Sequence, residues 1–182
     1  MFIRPLDELT ARQVDGVEGR DTSAGPSAVP GAPMMSPDGQ WVVYYAGGQL
    51  MKVSASGGTP TVLSAAAGSL GGDWSPDNSI VFGARDGIMR VPANGGVAEL
   101  IAKSDGTELL HFPQLLPGGR AVLSTSTSSL GQDRWNQAEI VAHSLTTGER
   151  KLLVKGGYHA RYASSGHLLY LQRGTLYAVG FD

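Results

Sequence analysis

The apolar positions of the chain fall in short runs, and a turn signal separates most runs from the next. Trp41 to Ala46, W-V-V-Y-Y-A, is apolar on both alternating faces, which predicts a strand covered on two sides. Ser36-Pro37-Asp38-Gly39 precedes it. Proline there suits a turn that holds φ at about −65°, and glycine suits one that needs φ above zero. Leu50 to Val53 then leads into a second turn, Ser56-Gly57-Gly58.

The rest of the chain repeats this unit. Turn motifs recur at Ser36-Pro37-Asp38-Gly39, Ser75-Pro76-Asp77-Asn78, Leu116-Pro117-Gly118-Gly119 and Ala163-Ser164-Ser165-Gly166, with starts 39, 41 and 47 residues apart. A strand opens after each, at Trp41, Ile80, Ala121 and Leu168. Third strands also align, as L-M-K-V-S-A-S-G-G, I-M-R-V-P-A-N-G-G, I-V-A-H-S-L-T-T-G and L-Y-A-V-G-F-D. A period near 40 with four short strands per unit predicts the blades of a β-propeller.

The expected fold is all-β: a single propeller domain, or part of one, of about four four-stranded antiparallel blades. Blades are predicted at residues 33–64, 71–102 and 111–154, and an incomplete blade at 159–182. Residues 1–32 supply an outer ribbon, with a third strand at Met1–Pro5 and a fourth at Thr10–Val14, followed by a Gly/Ser/Pro-rich connector from Gly16 to Ala32. The last blade lacks its outer strand, so either Thr10–Val14 or another chain is expected to close it. An arc of this kind leaves apolar faces and edges, which predicts a homo-oligomer completing a ring, with a closed monomer as the alternative.

The S-P-D-G turn, the aromatic strand after it and the [KR]-V-x-A-x-G-G turn resemble the TolB-type, WD-repeat-like propeller repeats of bacteria. F-I-R-P-L-D-E-L, F-P-Q-L-L-P-G-G-R-A-V-L and H-A-R-Y-A-S-S-G-H-L-L-Y resemble the propeller found C-terminal to bacterial serine/threonine protein kinases. The resemblance covers nearly the whole chain and implies a folded scaffold. No glycine-rich phosphate loop, H-R-D or D-F-G is present, so kinase activity in such relatives would lie in a domain absent here.

Composition narrows the classes. With 26 Gly, 10 Pro and 16% charged residues, the balance is that of a turn-rich β protein. A formal charge of −2 gives no reason to expect nucleic acid, and no apolar run predicts a membrane span or a signal peptide. Zero cysteines exclude disulfides and thiolate chemistry and leave the compartment open.

In a meander the S-P-D-G and Gly-Gly turns share one end of the blades, and the more variable connections share the other. The largest departure is at the variable end, between Thr125 and Ala138, where Asp133, Arg134, Trp135, Asn136 and Gln137 fall in one loop. Trp135 reads either as a ligand platform, with Arg134 and Asn136 orienting the ligand, or as an anchor for the loop. On the first strands, Met35, Trp74, Leu115 and Tyr162 are expected to pack between blades. Met34, Asp73, Gln114 and Arg161 then face the channel, and Asp73 and Arg161 could pair. Tyr158 aligns with His111 next to that channel mouth.

His111 and His159 occupy neighbouring aligned positions and, with Asp73 or Glu108, are the candidates for a divalent metal; no H-x-x-x-H or H-E-x-x-H spacing supports it, and no cofactor is expected. His143 replaces a valine of the other repeats and reads as a core or edge residue, and His167 reads as solvent-exposed. Asp73, Glu108, Asp133 and Glu139 are the acids able to serve a hydrolase, which needs two carboxylates facing each other across its substrate. No G-x-S-x-G elbow supports a serine nucleophile. Two classes follow. The leading one is a non-catalytic scaffold binding a small molecule, carbohydrate or protein; the other is a hydrolase of glycosidic or ester bonds at the channel mouth.

Overall fold

A computed structural model describes residues 1–4, 7–15, 17, 33–65, 70–128 and 132–181. All but one residue of the expected connector at 16–32, together with Pro5 and the segment 129–131 of the long loop, lie outside the described residues.

The chain opens with a ribbon, β1 (Phe2–Ile3) and β2 (Arg12–Gln13). The first blade is β3 (Met34–Met35), β4 (Trp41–Ala46), β5 (Gln49–Ser54) and β6 (Thr61–Ala65). The second is β7 (Gly72–Trp74), β8 (Ser79–Ala84), β9 (Gly87–Pro92) and β10 (Glu99–Lys103). The third is β11 (Leu109–Leu115), β12 (Ala121–Thr127), β13 (Glu139–Ser144) and β14 (Arg150–Lys155). A final three-stranded unit holds β15 (Tyr158–Ala163), β16 (His167–Gln172) and β17 (Thr175–Gly180). Every sheet is an antiparallel meander in chain order, as propeller blades are. The first strands β3, β7, β11 and β15 lie side by side, which makes them the inner strands.

The turns explain the repeat. Gly39 has φ +71° and donates its N–H to the Ser36 carbonyl at 2.9 Å. Asp38 accepts the Ser36 hydroxyl and the Gln40 N–H, which fixes the turn from inside. Asn78 takes the glycine's place in the second blade with φ +61°, a conformation asparagine tolerates better than most residues.

Blades pack face to face through apolar layers. Val43, Leu50 and Leu63 of the first blade meet Trp74, Ile80 and Phe82 of the second. Val81 and Ile88 then meet Leu110, Leu115 and Val122 of the third. Leu123 and Ile140 meet Ala160, Leu168 and Tyr170 of the last unit. Gly83 is required where the second and third blades approach, because a Cβ there would lie 2.2 Å from the Leu110 carbonyl oxygen.

Two expectations change. Thr10–Val14 does not close the last blade: β2 pairs with β1, Phe2 opposite Gln13, and Val14 is fully buried against Val42, Val53 and Ala55 of the first blade. The short connection makes that local pairing available, and the apolar face of the first blade holds it. The final unit keeps three strands, and β17 is exposed along its whole length. Met34 and Met35 also exchange roles. Met34 enters the core beside Gly72, which has no side chain to exclude it, whereas Met35 faces the side without a preceding inner strand and is 43% exposed.

Candidate functional site

The inner strands of the last three units share a bulge. Gly71, Phe112 and His159 occupy equivalent positions, Gly71 just before β7 and the other two at the register shifts within β11 and β15, and all have left-handed backbones, with φ of +82°, +50° and +54°. Such a conformation is uncommon for residues with a Cβ and persists only where the surroundings hold it. Here the side chains do the holding. The Phe112 ring lies over Gly71, whose added Cβ would fall 2.4 Å from it. His159 stacks on Phe112 with centroids 4.4 Å apart and planes 6° from parallel.

The long loop of the third blade folds back onto this file of rings. Its 3₁₀ turn, Gln132–Trp135, sets Trp135 edge-on to His111 at 5.1 Å and tilted against Phe112 and Tyr158 at 5.8 and 5.6 Å. Arg134 sits over the Trp135 ring at 4.9 Å. Five rings therefore converge where the inner strands begin. Trp135, Phe112 and Tyr158 are half-buried, and His159 is exposed. Trp135 is at once the anchor of its loop and a partly open ring surface. Asp133, Asn136 and Gln137 remain on the exposed rim.

His111 is buried and shares a hydrogen bond between Nε2 and the Thr127 hydroxyl at 3.0 Å. Burial, and then the charge of Arg134, push its imidazole down to about 4, so it is neutral at ordinary pH. Burial also lowers His159, with Arg161 adding to the effect. Two neutral imidazoles are competent ligands, but among the described residues no three or more His, Asp or Glu side chains gather to hold a metal ion. His111 and His159 are instead built into the ring cluster. His143 is buried with its Nδ1 lacking a hydrogen-bond partner, and His167 is exposed and turns back on Ser165.

Beneath the rings the polar inner-strand residues join the blades. Arg161 donates to the carbonyls of Phe112 at 2.9 Å and Gly72 at 3.3 Å, and so reaches across two neighbouring inner strands. Gln114 accepts the Tyr162 N–H at 2.6 Å and donates to the Tyr162 carbonyl at 3.4 Å. Asp73 forms no ion pair with Arg161 within 4.0 Å. Its pKa is raised by burial, an effect only partly offset by the Arg161 charge. The direct Asp73–Arg161 pair is thus replaced by a guanidinium bound to main-chain carbonyls.

The four candidate acids do not converge on one space. Asp73 lies on the inner strand and Asp133 on the exposed turn. Glu108 and Glu139 do meet, but on Arg150: the same Nη2 stands 3.1 Å from Glu108 and 3.3 Å from Glu139. The Ser126 hydroxyl donates to Glu108 as well. A guanidinium therefore occupies the space between the carboxylates that a sugar ring would need.

Phe112 is the residue of this site that the sequence did not single out. The repeat alignment carries a signal for it, because a glycine at the equivalent Gly71 marks a left-handed position.

No protein-family model matches the sequence, and no curated protein does so at a significant level. Solved structures do match. A TolB-like protein from Agrobacterium tumefaciens aligns with TM-score 0.64 and 18% identity over 88% of this chain and 58% of that one. A gluconolactonase from Xanthomonas campestris aligns with TM-score 0.61 and 15% identity over 81% and 56%. A calcium-binding regucalcin from Agrobacterium tumefaciens aligns with TM-score 0.59 and 13% identity over 84% and 54%. The chain spans just over half the length of these solved proteins. At such identities the likeness establishes the β-propeller fold alone.

Proposed function

We propose that the chain is a non-catalytic propeller scaffold that takes a small ring-bearing ligand, a sugar or an aromatic, at the mouth formed by Trp135, Tyr158 and His159. The observation that carries this reading is the five-ring cluster, with its partly open Trp135 and exposed His159 on a rigid, strained bulge. Half-exposed aromatic faces bind rings through apolar contact and stacking, and the neighbouring polar rim, Arg134 and Asn136, orients them. The kinase-linked resemblance of the sequence fits a sensing role of this kind. A gluconolactonase among the structural neighbours makes hydrolysis the competing reading for the same fold. Against it, Glu108 and Glu139, the pair among the candidate acids that meets, are occupied by Arg150.

Binding of a panel of sugars and aromatic compounds, followed by calorimetry, tests the reading. Replacing Trp135 by Ala is expected to weaken the ligand found by about tenfold or more, near 1.4 kcal/mol, and replacing the exposed His159 by Ala to weaken it with the urea midpoint little changed. A panel without any binder, or a binder indifferent to both Trp135→Ala and His159→Ala, would remove the mouth as the site.

A further inference from the structure

A second cleft lies at the opposite end of the blades from the ring cluster, between the S-P-D turns of the first two blades. Its volume is about 380 Å³, enough for a ligand of one ring. Trp41, 39% exposed, forms one wall and Lys52 stands beside it, the ammonium 4.9 Å from the indole centroid. Register puts both side chains on the face that the first blade turns toward the second.

Two departures from the repeat coincide in this cleft. The first concerns charge. At the position equivalent to Lys52 the second blade has Arg90, which faces Glu99 across the strand pair and binds it at 2.5 Å. Lys52 instead faces Thr61, and its hydrogen bond runs to the Ala93 carbonyl of the next blade at 2.6 Å. An ammonium carries three donors, so two remain for a ligand, on a cation without an ion-pair partner within 4.0 Å among the described residues. The second concerns a hydroxyl. In the first blade the Ser36 hydroxyl is taken by Asp38. In the second, Asp77 is engaged by the N–H and hydroxyl of Ser79, and the equivalent Ser75 hydroxyl is left without a partner among the described residues. Ser75 is fully buried at the base of the cleft. Buried polar groups are seldom left unpaired in folded proteins.

We infer that this cleft is a binding site for an acidic sugar, a pyranose ring carrying one carboxylate. The ring rests against the exposed indole of Trp41, and the carboxylate takes the remaining donors of Lys52. Hydroxyls of the ring find acceptors and donors at the rim, in Asp38 and in the amides of Asn78 and Asn94. The Asp38 carboxylate is held ionised by the Ser36 hydroxyl and the Gln40 N–H, so it accepts hydroxyls and disfavours a second acid group beside it. Charge thus selects an acid over a neutral sugar, and the acceptors select a hydroxylated ring over a bare aromatic one.

The chain has three tryptophans, two in this cleft and one at the ring cluster, so their indole N–H signals report the two sites separately. Glucuronate, glucose and benzoate are titrated into ¹⁵N-labelled protein, with signals assigned by Trp→Phe variants. Glucuronate is expected to shift the Trp41 signal and leave Trp135 still, with glucose and benzoate each about tenfold weaker or more. Lys52→Met is expected to abolish the preference for glucuronate over glucose, and Lys52→Arg to retain it, which separates loss of charge from loss of fold. A Trp41 signal unmoved by glucuronate at about 10 mM, equal binding of glucose or benzoate, or a preference that survives Lys52→Met would overturn the inference. A response of Trp135 alone would do so too, while supporting the mouth as a site.

Discussion

Gly71, Phe112 and His159 solve one local problem in three ways. The inner strands of the last three units each carry a residue in the left-handed region, and glycine does this without strain whereas the other two rely on stacked rings. Gly71→Ala adds a Cβ both to that backbone and to the space of the Phe112 ring, and is expected to cost about 1–3 kcal/mol in urea unfolding; an unchanged midpoint would contradict the packing described. The residue scale also sets a pH dependence. The folded chain refuses a proton on His111 until about pH 4, while the unfolded chain accepts it near the ordinary value of 6.5. The unfolded state therefore binds more protons across that window, and stability falls as pH drops through it and is unaffected by this group above it. His111→Gln should reduce the slope of the urea midpoint against pH between those limits, the rest coming from His159 and His143, which burial also lowers; an equal slope in both proteins would show that His111 does not contribute.

At the scale of elements, the blades are joined by apolar layers outside and by side chain to main chain bonds inside. Arg161 satisfies carbonyls of two other inner strands, so Arg161→Met is expected to destabilise the fold by about 1–3 kcal/mol through unpaired buried acceptors. A thermal midpoint equal to that of the wild type would show that water replaces the guanidinium at no cost. Strand positions were legible in the sequence because turn chemistry repeats: the S-P-D-G and S-P-D-N turns fix where β4 and β8 begin, and each apolar run ends at the next turn. The destination of β2 was not legible. Its residues suit any open edge, and the outcome depends on Val14 finding Val42 and Val53, a contact that no periodicity encodes. The Met34–Met35 exchange has the same origin, since Gly72 makes room for Met34 only once two blades are side by side.

For the whole molecule, the chain forms four successive units of one propeller arc, with the ring cluster at one end of the blades and the Trp41–Lys52 cleft at the other. The variable end was recognisable from the length of its loop, and Trp135, Arg134 and Tyr158 do meet there. The pairing of Glu108 with Glu139 through Arg150 was hidden because the three come from different strands and connections. That pairing bears most directly on whether the propeller is catalytic. The decisive measurement is the initial rate on chromogenic glycosides, esters and a sugar lactone, for the purified chain beside Glu108→Gln and Glu139→Gln. The account predicts rates equal to buffer for all three proteins. Turnover by the wild-type chain that drops by about a hundredfold in either variant, with the urea midpoint retained, would contradict it and make that glutamate a catalytic acid or base.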